Sequence, residues 1–294
     1  MIQFLSYLVN GISLGSVYAI IALGYSMVYG IAKMLNFAHG DVIMIGAFVC
    51  FSATQYLGVP ALVGVLLSVA VCTVLGITIE RLAYKPLRSA TSLAVLITAI
   101  GMSWLLQNIA LLIWGANPKS FKSVINMGTL VLFGGQLRIT SETIVTVLAN
   151  IIIMIALTQF TGRTKMGKAM RAVSEDKNAA TLMGISVDRT ITLTFAIGSA
   201  LAAFASMFYG MTYVYIKPTT GAMPGIKAFT AAVFGGIGSI PGAMLGGILL
   251  GLIEQLSKTY ISTLWADAIV FAVLVVVLVV KPTGLLGKPM QEKV

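Results

Sequence analysis

RAVSEDKNAATLMGI, residues 171–185, is a polar island between two long apolar segments, and its reading decides the rest of the chain. Six cations crowd the surrounding loop: Arg163, Lys165, Lys168, Arg171, Lys177 and Arg189. The stretch also carries helix punctuation. Ser174 is the residue type that caps a helix by accepting a backbone N–H from the first turn. Glu175 and Asp176 follow, where negative charge favours the positive end of the helix dipole. Gly184 stands where a left-handed residue ends a helix. The pattern predicts a helix over 175–183, about 13 Å long at ~1.5 Å per residue. Ala179, Ala180 and Met183 form its apolar edge. So short a helix between two spans has little lipid in which to bury that edge, which suits docking into a groove of another protein. The competing reading is a surface helix in an ordinary cytoplasmic loop.

Composition frames this island. The chain has 294 residues, 58% of them hydrophobic and only 10% charged. A soluble domain carries roughly 25% charged residues. The sequence is that of a polytopic membrane protein, with no sign of a separate soluble domain. Its net charge of +10 does not point to nucleic acid, because the cations lie in short loops between apolar runs, as the positive-inside rule requires. Cys50 and Cys72 fall inside apolar segments and read as small buried hydrophobes. The N-terminal MIQFLSYLVNG lacks a charged n-region, so no cleaved signal peptide is expected. No dehydrogenase fingerprint or P-loop is present, and the single His39 excludes a multi-histidine zinc site.

Working outward, runs near the ~20 residues a span needs cover 5–29, 42–57, 61–79, 93–114, 143–160, 190–215 and 265–280. Glycines 11, 15, 24 and 30 mark the first as a close-packing helix. Residues 31–41 interrupt with Lys33, Asn36, His39, Gly40 and Asp41; residues 80–88 form a basic loop with Arg81, Lys85 and Arg88. In the outer loop 115–142, the runs 129–133 and 136–140 flank Gly134–Gly135 and predict a β-hairpin. Residues 217–227 read as a Gly/Pro-rich loop. As one helix, 228–257 would run about 43 Å, well beyond the ~30 Å hydrocarbon core. It also contains GGIGSIPG at 235–242, which predicts a re-entrant helix over 228–236, a loop, and a second helix over 243–257. With 161–189 inside, thirteen cations fall on the inner side and six on the outer. The expected fold is all-α: one polytopic domain over 1–294, with about eight spanning helices plus a re-entrant half-helix, N-terminus outside and C-terminus inside.

Acids within or near spans are Asp41, Glu254 and Asp267. Ionisable groups at membrane depth are costly and functional by default. Asp267, at a span end, and Glu254, near Lys258, read as interfacial. Asp41, with Asn36 and His39, is the candidate for a pathway role; the competing reading is a capped turn with Asp41 starting the next helix. The break, with Gly235, Gly236, Gly238 and Ser239, would expose backbone groups, tolerated only toward protein or a water-filled cavity. Helix N-termini there could hold a substrate carboxylate without a buried cation. Its competing reading is a glycine packing seam.

Glu175, Ala179, Ala180 and Gly184 resemble the EAA–G loop of the membrane subunits of bacterial ABC importers. LNFAHGD at 35–41 and FGGIGSIPGAMLGG at 234–247 resemble the branched-chain amino acid permease family. The likeness covers nearly the whole chain, and the three stretches in this order are more specific than the first alone. It implies that 175–183 is the coupling helix, with Ser174, Glu175, Asp176, Ala179, Ala180, Met183 and Gly184 at the ATPase contact. It also implies a second homologous permease in a heterodimer, two cytoplasmic ATPase subunits, an extracytoplasmic binding protein, and a place in the lipid of the bacterial inner membrane. Under it the chain is no enzyme and binds no cofactor; ATP-Mg is used by the partner ATPases. The alternatives are an ABC permease for urea or amides, a secondary transporter or channel without ATPase, and a non-transporting assembly factor. A proton-driven transporter would need a relay of acids or histidines, which is not visible.

Overall fold

Glycines decide how the bundle closes. The computed structural model describes residues 2–88, 90–121, 128–132 and 137–287. The helices are α1 (Ile2–Ala32), α2 (His39–Gln55), α3 (Ala61–Ile79), α4 (Ser92–Trp114), α5 (Ser141–Arg163), α6 (Lys165–Glu175), α7 (Lys177–Leu182), α8 (Val187–Tyr213), α9 (Ala222–Gly235), α10 (Ile240–Tyr260) and α11 (Ala266–Val280). Helix α1 is the axis. Its Gly11 and Gly15 meet Gly251 and Leu252 of α10, and Ala19 meets Gly247. A Cβ on Gly251 would lie 2.2 Å from the Gly15 Cα, so the two backbones touch as only small residues permit. Helix α8 crosses α1 at Gly198, beside Gly24 and Val28, and receives α3 where Gly76 faces Ser199.

Among the described residues, six helices are long and apolar enough to cross a membrane: α1, α3 with its extension to Leu87, α4, α5, α8 and α10. Helices α2, α9 and α11 are shorter, with 17, 14 and 15 residues. The protein is thus a polytopic all-α bundle. Helices α1 and α8 are mostly buried, whereas α3, α4 and α5 turn apolar side chains such as Leu66, Leu112 and Ile152 outward, as spans facing lipid do.

One end of the bundle carries the α5–α6–α7 elbow. There Lys177 Nζ donates to the Ala32 carbonyl at 3.3 Å, and a π-turn at Glu80–Tyr84 continues α3 toward Asp188 of α8. The opposite end carries the β-strands. Strands β2 (Thr129–Leu132) and β3 (Leu137–Thr140) pair antiparallel with Thr129 opposite Thr140, so the hairpin is present; its Gly134–Gly135 turn lies outside the described residues. Strand β1 (Lys119–Ser120) pairs with β4 (Tyr215–Ile216), tying the loop after α4 to the end of α8. Lys122, Lys288 and Lys293, which enter the cation count, also lie outside the described residues.

The break in 228–257 is present with shifted bounds. Helix α9 begins at Ala222, not 228, because Pro224 is tolerated in the first turn of a helix. Helix α10 begins at Ile240, with Ser239 Oγ accepting from the Gly242 N–H at 3.2 Å. Gly236 and Gly238 hold φ of 109° and 91°, conformations that favour glycine.

Candidate functional site

The elbow is built by successive caps. Thr164 ends α5 and starts α6, its hydroxyl accepting from the Gly167 N–H at 2.9 Å. Helix α6 is amphipathic and buries Met170 and Val173. It runs through Ser174 and Glu175, which corrects the expected helix start. Ser174 donates to the Arg171 carbonyl inside α6 and caps nothing, and Glu175 is the last residue of that helix. The cap of α7 is Asp176, in extended backbone, whose carboxylate accepts from the N–H groups of Asn178 and Ala179 at 2.8 and 3.0 Å. Serine and aspartate cap about equally well, and the burial of Met170 and Val173 carries α6 past Ser174, so the chain breaks at Asp176 and the short helix spans Lys177–Leu182. Gly184 ends it at φ 80° as expected, with the Ile185 N–H bonded to the Ala180 carbonyl.

The apolar edge differs from the expected one. Ala180 is buried within its own chain, while Ala179 is exposed. The exposed apolar tip is Leu182 and Met183, with relative exposures of 89% and 82%. Leu182 stands three residues after Ala179 and Met183 three after Ala180, so both continue this edge at its end. Lys177 fastens the helix to α1. Its burial, with the charges of Arg88 and Lys33 nearby, holds the ammonium below the usual lysine range.

The structure sets Asp41 apart from the other two polar residues of LNFAHGD, Asn36 and His39. Asn36 Oδ1 accepts from the Tyr84 hydroxyl at 3.0 Å, pinning the connection to the π-turn. His39 fills the notch left by Gly24, where a Cβ would come within 2.6 Å of its Nε2, and its ring meets Tyr25 edge-on. Asn36 and His39 border a gap between α1 and α9 too tight to admit water. Asp41 faces away from them, toward α4, and accepts from Gln107 Nε2 at 2.9 Å. It lies in the first turn of α2, whose N-cap Ala38 makes no side-chain cap, so Asp41 is not the capping residue. Gly40 packs on Gly221 and Gly225; the starts of α2 and α9 meet there backbone to backbone.

At the break, the carbonyls of Phe234 and Gly235 accept from the N–H groups of Leu285 and Leu286, and the Gly238 N–H donates to Ser26 Oγ at 2.9 Å. The turn packs beside Gly30, near the elbow end of α1. Its backbone groups are therefore used within the chain, and Gly235, Gly236, Gly238 and Ser239 are geometrically a packed, capped turn. This favours the packing-seam reading over a substrate-facing gap.

The family profile described as the branched-chain amino acid transport system permease component matches residues 7–278. The chain belongs to this permease family. It is 46% identical to the high-affinity branched-chain amino acid transport system permease protein LivH of Salmonella typhimurium, covering 100% of this chain and 98% of that one. It is 44% identical to permease protein BraD of Pseudomonas aeruginosa, over 99% and 98% of the two chains. A probable branched-chain amino acid transport permease protein LivH of Methanocaldococcus jannaschii is 26% identical over 91% and 88%. The permease is a multi-pass inner-membrane protein.

Sequence reasoning missed one polar feature of the permease. Lys227 is not a loop cation; it lies within α9 and is nearly buried. Its Nζ contacts Glu254 at 2.9 Å and Asp267 at 2.6 Å. Glu254 is fully buried within the chain and also receives Lys258 at 2.6 Å and the Tyr18 hydroxyl at 3.0 Å. The network ties α1, α9, α10 and α11. The acids at 254 and 267 were the visible signal, because an acid within an apolar run calls for a partner.

Proposed function

We propose that the chain is the permease subunit of an ATP-driven importer of branched-chain amino acids, with α7 as the element that receives motion from cytoplasmic ATPases. The observation that carries this reading is the exposed Leu182–Met183 tip on a capped, six-residue helix at the cation-rich end of the bundle. Two large apolar side chains standing in water favour a protein groove. The elbow end is the inner side, the hairpin end the outer. Counting α2 and α11 as crossings gives eight, with α9 as the half-helix, the N-terminus outside and the C-terminus inside. A second permease of the same family completes the pathway in a heterodimer, two ATPases cover the elbows, and an extracytoplasmic binding protein delivers substrate. ATP-Mg belongs to the ATPases; this chain performs no bond chemistry.

The geometry supports a transmission path. Ala180 is buried against the chain, Lys177 holds the end of α1, and the Lys85–Asp188 pair at 2.7 Å, with Arg88 bridging Asp188 to Glu80, binds α8 to the π-turn. Displacing α7 therefore drags the ends of α1, α3 and α8. The test is cross-linking from a Met183→Cys variant in the assembled complex. A permease–ATPase adduct is expected, and Leu182→Asp should detach the ATPase on purification. No adduct, with the ATPase still bound, would refute this docking role.

A further inference from the structure

We infer that the cleft between α4 and the turn after β4 is a subsite for a zwitterion, with the Gln107 amide, backed by the buried Asp41 carboxylate, facing an ammonium group and Lys217 as the counter-charge for a carboxylate. The inference rests on the transport reading above and names the chemistry that the pathway recognises. Three acids are buried among the described residues: Asp41, Glu80 and Glu254. Glu80 faces Arg88, and Glu254 faces Lys227 and Lys258. Asp41 has neutral partners, the Ser103 hydroxyl and the Gln107 amide, the latter at 2.9 Å, and no ion pair joins it to a cation among the described residues. A buried carboxylate is costly without a positive partner, so its charge favours a cation held on the far side of Gln107.

Gln107 connects that carboxylate to a cavity of about 250 Å³. The cavity is lined by Gln107, Asn108, Leu111, Ala116, Lys217, Pro218 and Thr219. Gln107 Nε2 donates to Asp41 and, at 3.3 Å, to Ser103 Oγ. With its N–H groups turned to the protein, the amide keeps its carbonyl oxygen as an acceptor, strengthened by donation to a carboxylate. Lys217 makes no ion pair among the described residues and is exposed at the cleft. Leu111, Ala116 and Pro218 supply an apolar wall between the polar ends. A few convergent polar groups on an apolar surface are what a small-molecule site needs. An acceptor at one end, an ammonium at the other and an aliphatic wall between them match an aliphatic amino acid, not urea or an amide.

The test uses the assembled transporter without its binding protein, carrying Asn108→Cys as a label site; Cys50 and Cys72 are buried and give little background. Probes are leucine, 4-methylpentanoate (which lacks the ammonium) and 3-methylbutylamine (which lacks the carboxylate). Leucine should slow thiol labelling, and the two analogues should not at the same concentration. Adding Asp41→Asn should raise the protecting concentration about tenfold or more, the scale of one lost charge-assisted hydrogen bond. Lys217→Met should do the same while moving 3-methylbutylamine little. Equal protection by all three probes, no protection by leucine, or unaltered protection in Asp41→Asn would overturn the subsite. Leucine uptake by the unmodified complex separates the two readings. Uptake without protection removes the subsite alone, whereas a complex that carries amides and not leucine removes the transport reading.

Discussion

Replacing Glu254 by Leu should cost the permease about 3–5 kcal/mol, the scale for removing one member of a buried ion pair. The geometry sets the ranking among variants. Glu254 is fully buried and receives three donors: Lys227, Lys258 and Tyr18. Removing it leaves the Tyr18 hydroxyl without its acceptor, a share of about 1–3 kcal/mol within that total. Lys227 would keep Asp267 at 2.6 Å, whose side chain is 43% exposed and weakly held. Lys227→Met is milder, about 1–2 kcal/mol, because Glu254 retains Lys258 and Tyr18. The double variant Lys227→Met/Glu254→Leu removes the nearly buried ammonium together with its counter-charge. It should cost no more than Glu254→Leu alone, a coupling of about 1–2 kcal/mol. Denaturant titration of the purified complex, followed by tryptophan fluorescence, reads all three. Strict additivity, or a Lys227→Met cost equal to that of Glu254→Leu, would refute the claim that these charges act as one buried unit.

Gly251→Ala should reduce the amount of permease in the membrane, since its Cβ would sit 2.2 Å from Gly15 and overpacking costs about 1–3 kcal/mol or more; quantitative immunoblotting of membranes checks it. Gly184→Val meets no atom within 4 Å, so its cost is the left-handed backbone alone, about 1–2 kcal/mol; uptake should fall while membrane levels stay normal. Asp176→Ala should weaken α7 by about 1 kcal/mol through loss of two N–H acceptances, and Asp176→Ser should restore much of it; ATP hydrolysis stimulated by the binding protein is the readout.

The fold was legible where local chemistry acts alone. Gly184 has to end a helix, Gly236 and Gly238 have to break one, and the alternating runs around 133–136 have to pair. The exact start of α7 was not legible, because Ser174 and Asp176 are both good caps and only the amphipathic burial of Met170 and Val173 carries α6 through the serine. The depth of each polar residue was less legible still. Lys227 and Glu254 are 27 positions apart, and nothing local says that they meet. Asp41 and Gln107 meet across 66 positions through the packing of α2 on α4. The LNFAHGD stretch looks like one polar cluster in sequence, yet the start of a helix points Asp41 away from Asn36 and His39. The candidate site was therefore half visible: the short capped helix α7 from punctuation, the contact of Asp41 with Gln107 only from tertiary packing.

ATP-driven accumulation of leucine in proteoliposomes tests the central claim most directly. The vesicles would hold the permease, its partner permease and the ATPases, with the binding protein supplied outside and ATP-Mg inside. Leucine should accumulate only with ATP, and Leu182→Asp with Met183→Asp should abolish accumulation while the permease pair remains folded in the bilayer. Accumulation without ATP, or undiminished accumulation in that double variant, would contradict the account.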